Sequence, residues 1–163
     1  MLRRFTGRIA ATTLVLATGL GAAAAFAADE PANIVKYRKA FMGANGAHLG
    51  MIAAVAKGEV SFTDQVPAHA HALAEQGKLL TANLKQLFPE GTGKGGADET
   101  AALPVIWEKW SDFEAAAKSF EAESAKLAEV AEGGDMAAVG QQLGTFGKNA
   151  CGGCHETFRE KKS

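Results

Sequence analysis

The chain has 163 residues, 47% of them hydrophobic, with 17 basic and 18 acidic side chains and a net charge of −1. This length and hydrophobic content suit one folded domain with its own core. The slightly acidic balance argues against a nucleic-acid-binding protein, because such a protein needs a basic face.

We interpret the first 27 residues as a cleaved signal peptide. Three arginines open the chain, an apolar stretch covers 9–26, and Ala25-Phe26-Ala27 matches a small-x-small cleavage site. A membrane anchor is the alternative, but the stretch is only marginally long enough to span and contains several Thr and Gly residues. We therefore expect an exported, periplasmic protein with a single domain over 28–163. No later apolar run is long enough to anchor it in a membrane.

Hydrophobic spacing predicts two helices in the first half of the mature chain. The first covers about 32–57, with an inward face that includes Arg38, Met42 and Asn45 at steps of four and three residues. The second covers about 63–87 and keeps the same spacing. Together these two helices account for most of the chain before a glycine-rich loop, which we expect to be mobile.

The second half predicts two more helices of similar length. The third starts near Leu103-Pro104 and stops at Gly133-Gly134, and the fourth covers about 135–161. No segment shows the alternation typical of a strand. Four helices of this length with short links predict an all-α, antiparallel four-helix bundle.

The last predicted helix carries the motif Cys151-Gly152-Gly153-Cys154-His155. Residues three apart lie on one side of a helix, so both thiols can reach the vinyl groups along one edge of a haem and form thioethers. The histidine that follows can then bind the iron through an imidazole nitrogen. The motif predicts one covalent haem c, attached through Cys151 and Cys154 and ligated by His155.

A Cys-x-x-Cys pair can serve three purposes other than haem attachment. A thioredoxin-like redox pair would sit at a helix N-terminus beside a βαβ pattern, and this pair lies late in a helical chain. A zinc site needs four ligands, and the three remaining histidines, His48, His69 and His71, lack a matching spacing. A plain disulfide would leave His155 without a role.

The haem motif, the signal peptide and the four-helix pattern together resemble class II cytochromes c, the cytochrome c′ family. More specific likenesses are Tyr37-Arg38-Lys39 followed by Phe41-Met42, then Ile106-Trp107, and Phe158-Arg159 after the haem motif. The resemblance implies that the bundle encloses the haem, with the first helix on its distal face and the last on its proximal face. It also implies that Arg38 pairs with a haem propionate and that Arg159 lies on the proximal side.

Members of this family differ at the position of Met42. Low-spin members place a methionine sulfur on the iron, whereas high-spin members leave that site empty and some bind nitric oxide or carbon monoxide. The segment around Met42 is more similar to the low-spin cytochrome c-556 branch, so we expect His155 and Met42 both to ligate the iron. Met51 and His48 face other sides of the first helix, which disfavours them as ligands.

These assignments predict an electron-transfer protein, with a five-coordinate haem that binds nitric oxide or carbon monoxide as the alternative. We expect no enzyme activity, because the sequence offers no acid–base pair or nucleophile arrangement. The expected partner is another redox protein, bound through a small transient contact. The resemblance also implies a possible homodimer through the first two helices.

Overall fold

The structure is a computed structural model that describes residues 30–96 and 99–161. The predicted signal peptide, 1–27, lies outside these residues. The helices are α1 (Pro31–Ala56), α2 (Val66–Ala82), α3 (Leu84–Leu87), α4 (Val105–Glu108), α5 (Trp110–Glu132), α6 (Met136–Phe146) and α7 (Gly153–Phe158). A 3₁₀ turn, Thr63–Gln65, precedes α2, and a π-helical segment, Gly147–Gly152, joins α6 to α7. None of the helices described here is both long and apolar enough to cross a membrane.

The four long helices α1, α2, α5 and α6 form an antiparallel bundle. His71 at the start of α2 contacts Glu132 at the end of α5, whereas Thr81 near the end of α2 contacts the earlier Glu121. This reversed order shows that α2 and α5 run in opposite directions. The same reversal relates α1 to α2 and α5 to α6. The predicted fold class is confirmed.

The core consists of the apolar faces that the spacing predicts. Ile52, Leu73, Leu127, Val139 and Phe146 come from the four long helices, and each is at most 1% exposed. Burying one such side chain contributes roughly 1.5–3 kcal/mol. Packing of these faces, rather than helix propensity alone, therefore holds the bundle together.

Two of the predicted helices are interrupted once. Asn83 separates α2 from α3 with φ −118° and ψ 19°, and its side-chain amide donates to the Leu79 carbonyl at 2.9 Å. That bond occupies a carbonyl at the end of α2. Lys109, with φ −123° and ψ 50°, likewise separates α4 from α5. Neither break changes the order of helices in the bundle.

The last predicted helix is shorter than expected and is not regular. It was predicted to reach residue 161, but α7 ends at Phe158. The Phe158 carbonyl accepts from the Leu103 amide at 3.0 Å, and the Glu160 amide donates to the Ala101 carbonyl at 2.8 Å. This short antiparallel pairing takes the backbone groups that a longer helix would use. It also fixes the end of α7 against the segment that precedes α4.

Candidate functional site

Cys151, Cys154 and His155 lie together at one end of the bundle. Cys151 belongs to the π-helical segment, and Cys154 and His155 belong to α7. All three are half-buried, and both cysteines are free thiols rather than a disulfide. π-helical turns are rare and occur mostly at functional sites. The change in helix type therefore coincides with the predicted attachment motif.

The surroundings of the two thiols favour their protonated form. Burial raises the pKa of Cys154 to about 11 and also raises the pKa of Cys151, while the charge of Arg159 opposes both shifts. A catalytic redox pair needs a lowered thiol pKa to form the attacking thiolate. This environment therefore opposes the thioredoxin-like alternative.

His155 is held in surroundings that favour its neutral imidazole. Burial lowers the pKa of His155, and the nearby positive charge of Arg159 acts in the same direction. Neutral imidazole is the form that ligates a metal. Arg159 therefore lies close enough to influence all three residues of the motif, and its place on the proximal side of a haem stays a prediction.

Met42 lies at about the same height in the bundle as the end of the motif. A Cβ added at Gly140 would lie 3.8 Å from the Cβ of Ala56, so these two residues mark one level of α1 and α6. The same number of residues separates Ala56 from Met42 and Gly140 from Cys154. Because an α-helix rises by a constant amount per residue and only the segment 147–152 departs from it, this count places Met42 at about the level of Cys154 and His155. Its half-buried side chain packs against the hydrophobic core.

The Arg38 guanidinium is buried and faces the segment that follows α3. Its terminal nitrogens donate to the Leu87 carbonyl at 3.1 Å, to the Thr92 hydroxyl at 3.0 Å and carbonyl at 2.7 Å, and to the Thr100 hydroxyl at 3.0 Å. The guanidinium also lies over the ring of Phe88. The sequence predicted the inward position of Arg38 but not these partners, since nothing in a glycine-rich loop marks which oxygens will meet a distant side chain.

The predicted mobile loop packs closely against the bundle in the part described. Thr92 is 3% exposed, and a Cβ added at Gly93 would lie 2.5 Å from the Trp107 ring. The Lys94 amide donates to the Ala102 carbonyl at 2.7 Å. Only a glycine permits so close an approach to the indole. The start of this loop therefore packs on the bundle, and Thr92 covers Arg38.

Asn45 is a buried polar residue on the face that carries Arg38 and Met42. It is 7% exposed, and neither its amide nitrogen nor its amide oxygen has a hydrogen-bond partner among the described residues. Buried amides are almost always hydrogen-bonded. An unpartnered one therefore indicates a hydrogen-bond partner other than the protein itself, such as a water molecule or a ligand. The sequence placed Asn45 on this face but gave no signal of a role.

The residues present fit a covalently attached haem. Two partly buried thiols precede a histidine whose surroundings favour the neutral imidazole, Met42 lies at about the same height, and Asn45 offers an unpartnered amide on α1. Among the residues described, no group of three or more His, Cys, Asp or Glu side chains could hold a metal ion by itself. A zinc site at the motif therefore lacks the ligands that it needs.

A family model described as Cytochrome C' matches residues 33–159. This chain belongs to the cytochrome c′ family. Proteins of this family bind one covalent haem c, and the two cysteines of this chain have the spacing that such attachment requires. The chain is therefore a haem-binding, iron-containing c-type cytochrome.

Two curated relatives carry different names within this family. The chain is 40% identical over 131 residues to cytochrome c' of Pararhodospirillum photometricum, covering 80% of this chain and 98% of that protein. It is 37% identical over 130 residues to cytochrome c-556 of Agrobacterium tumefaciens strain B2A, covering 78% of this chain and 98% of that protein.

Two solved structures share the fold over almost their whole length. A nitric oxide complex of a variant cytochrome c prime from Alcaligenes xylosoxidans has a TM-score of 0.68 and 27% identity, and covers 82% of this chain and 98% of that one. A cytochrome c' described as having ligand-controlled dimer dissociation has a TM-score of 0.74 and 30% identity. The match covers 83% of this chain and 100% of that one. These likenesses favour the gas-binding alternative over the six-coordinate electron-transfer protein that the sequence led us to expect.

Proposed function

We propose that this chain is an exported monohaem cytochrome c′ whose iron keeps an open distal position that binds nitric oxide or carbon monoxide. The observation that carries this proposal is the nitric oxide complex of a protein that shares the fold over 98% of its length. The packing of Met42 supports it, because a half-buried methionine against the core is accounted for without iron ligation. The proposed role is reversible binding rather than catalysis.

Cys151, Cys154 and His155 are the residues that we assign to the haem. The two thiols would attach it from one side of the chain's last helical turns, and His155 would supply the proximal imidazole. When bound, haem iron with one axial histidine supplies a site for a diatomic ligand. Burial, helped by the positive charge of Arg159 beside the motif, lowers the pKa of His155 and would keep the proximal imidazole from taking up a proton.

On the distal side, α1 would supply the walls of the gas site. Met42 would exclude water with its thioether, and Asn45 would offer the amide that lacks a protein partner. Arg38 is the residue that we assign to a haem propionate, in addition to its observed bonds to the loop. The bonds of Arg38 to Leu87, Thr92 and Thr100 use only its two terminal nitrogens. The third guanidinium nitrogen, Nε, also carries a proton that it could donate to a propionate.

Electron transfer through a His155- and Met42-ligated haem is the second candidate. Two observations favour it: Met42 is at about the level of His155 in the bundle, and two relatives are named cytochrome c-556. A methionine ligand would raise the reduction potential and leave no site for a gas. The protein would then need a redox partner, which we propose to be a second protein in a small and transient contact.

The absorption spectrum of the reduced, haem-loaded protein with and without carbon monoxide separates the two candidates. The gas-binding proposal expects a high-spin spectrum that shifts when carbon monoxide is added, in the wild type and in Met42→Ala alike. If the wild type is low-spin and unaffected by the gas while Met42→Ala responds, the second candidate replaces the first. Met51→Ala is the matched control, because Met51 is on the same helix but 40% exposed.

The groove between α1 and α2 is the contact surface that we propose for a second copy of this chain. It has a volume of about 300 Å³ and is lined by the apolar residues Ile34, Tyr37, Phe41, Leu79 and Leu87 and by the polar residues Asn83 and Gln86. Tyr37 and Leu79, which both line the groove, are 64% and 51% exposed and would lose this exposure in a contact with a second chain. A related cytochrome c' is described as a dimer, which makes a homodimer the occupant that we propose.

A further inference from the structure

Two histidines face each other across the first two helices. His48 lies on α1 and His69 in the first turn of α2, and their Nδ1 atoms are 3.1 Å apart. The ring centroids are 5.3 Å apart and the planes are inclined by 47°. Both side chains are half-buried, so the pair is held by its helices yet remains open to solvent. None of the assignments to the haem uses either residue.

The separation of the two Nδ1 atoms allows two states. In the first, one neutral imidazole donates its Nδ1 proton to the other ring's Nδ1 lone pair. In the second, both nitrogens bind one metal ion. Histidine–zinc bonds are about 2.0–2.1 Å, so two imidazole nitrogens on one tetrahedral ion lie about 3.3 Å apart. The observed 3.1 Å is close to this value, and little movement would convert one state into the other.

We propose that His48 and His69 form a binding site for a divalent transition-metal ion such as Zn²⁺, separate from the haem. Imidazole nitrogen suits zinc, copper and nickel. The ring that holds its proton on Nδ1 would release it there and carry a proton on Nε2 instead, so that both Nδ1 lone pairs face the ion. No electron is transferred, and the remaining coordination positions are taken by water.

The placement of the pair makes the site rigid. His48 lies in the second half of α1, and His69 is anchored by α2, which packs along α1. An ion between them would join the two helices and stabilise the folded chain, because a ligand that binds only the folded state raises its stability. With two protein ligands, the site should bind more weakly than a closed four-ligand zinc site.

His71 provides a matched control on the same helix. Its Nε2 lies 2.6 Å from a carboxylate oxygen of Glu132 on α5, and both side chains are mostly exposed. It is two residues from His69, so it points to a different side of α2. His71 and Glu132 are also the obvious competing site for a metal ion. A variant at His71 therefore tests both the location and the specificity of binding.

The test is a calorimetric titration of the haem-loaded protein with zinc chloride. We expect one ion per chain in the wild type, at least tenfold weaker binding in His48→Gln and in His69→Gln, and unchanged binding in His71→Gln. The zinc-dependent rise in the melting temperature should disappear in the first two variants only. Acid should release the ion, because protons and metal compete for the same nitrogens.

Three results would overturn the proposal. One is equal zinc affinity in the wild type, His48→Gln and His69→Gln, and another is loss of binding in His71→Gln alone. The third is the absence of zinc binding to the wild type at millimolar zinc. The haem absorption spectrum, recorded for each variant before titration, shows whether that variant is folded, so that a loss of binding is not mistaken for a loss of structure.

Discussion

The guanidinium carbon of Arg38 lies 4.6 Å from the centroid of the Phe88 ring. This contact places a positive charge over an aromatic face, an arrangement worth about 2 kcal/mol where water is excluded. The same guanidinium donates to oxygens of Leu87, Thr92 and Thr100, and so connects the first half of α1 to the loop that follows α3. Burial lowers the pKa of Arg38, but a guanidinium remains charged at any ordinary pH.

Replacing Arg38 should therefore loosen the loop and lower the stability of the fold. We expect Arg38→Lys to reduce the free energy of unfolding by about 3 kcal/mol, because lysine keeps the charge but cannot donate in a planar fork. Denaturant unfolding of the haem-loaded protein measures this change. Lys39→Ala, an exposed neighbour on α1, should change stability by less than about 0.5 kcal/mol.

Equal stability of Arg38→Lys and Lys39→Ala would mean that the loop is held by other contacts. The reduction potential supplies a second measurement on the same variants. A shift of the reduction potential in Arg38→Lys but not in Lys39→Ala would support the predicted contact with a haem propionate. Such a contact changes the electrostatic environment of the iron.

The sequence predicted the helices well where spacing alone decides them. The first helix was placed at about 32–57 and is Pro31–Ala56. Departures occur where a side chain or a distant strand-like pairing competes with the helix. The side-chain amide of Asn83 donates to the Leu79 carbonyl where α2 ends. The Glu160 backbone amide donates to the Ala101 carbonyl instead of continuing α7. Such competition depends on tertiary neighbours that hydrophobic spacing does not reveal.

The candidate site was predictable to the extent that it is local. Cys151, Cys154 and His155 are contiguous in the motif, and the inward spacing on α1 placed Arg38 and Met42. The contact between His48 and His69 was not predicted, because the rotation of two helices about their axes decides which side chains meet. Whether Met42 ligates iron also cannot follow from spacing, since a core methionine and an axial ligand occupy the same face.

Gly77 lies where α2 closely approaches α5, and alanine there should be destabilising. A Cβ at this position would lie 2.6 Å from the Ser124 hydroxyl and 2.8 Å from the Cα of Glu121. Overpacking costs about 1–3 kcal/mol, and the better helix propensity of alanine returns up to about 1 kcal/mol. We expect Gly77→Ala to lose about 1–2 kcal/mol in thermal or denaturant unfolding.

Gly50→Ala is the control for this substitution. Gly50 lies inside α1 and has nothing within 4 Å of an added Cβ. Alanine should therefore raise the free energy of unfolding by about 0.5–1 kcal/mol, because it restricts the unfolded chain at no cost in contacts. A stabilising effect at both positions would contradict the close approach of α2 and α5 at Gly77.

The proposed homodimer predicts that charges in the groove between α1 and α2 will separate the two copies. Tyr37→Lys and Leu79→Lys each place a cation on an apolar surface that would be buried in the dimer, and burying an unpaired charge is costly. Sedimentation equilibrium should show the dimer in the wild type and a monomer in these variants. Phe62→Lys is the control, because Phe62 is 54% exposed and does not line the groove. A wild type that is monomeric at all concentrations would refute the dimer.

Asn45→Leu tests whether the unpartnered amide serves the haem pocket. Leucine is close in shape and removes both polar atoms, so a purely structural amide should be replaceable with a gain of about 1–3 kcal/mol, the cost of an unsatisfied buried group. If Asn45 instead donates to a bound gas, the infrared stretching frequency of carbon monoxide in the reduced protein should move in Asn45→Leu and the affinity for the gas should fall several-fold.

We expect the frequency shift and the loss of affinity, because a buried amide on the same face of α1 as Met42 has no other partner among the described residues. Ser124→Ala, whose hydroxyl is buried at the contact of α2 with α5, should leave the frequency unchanged. An unmoved frequency together with raised stability would show that Asn45 has no polar role at the haem.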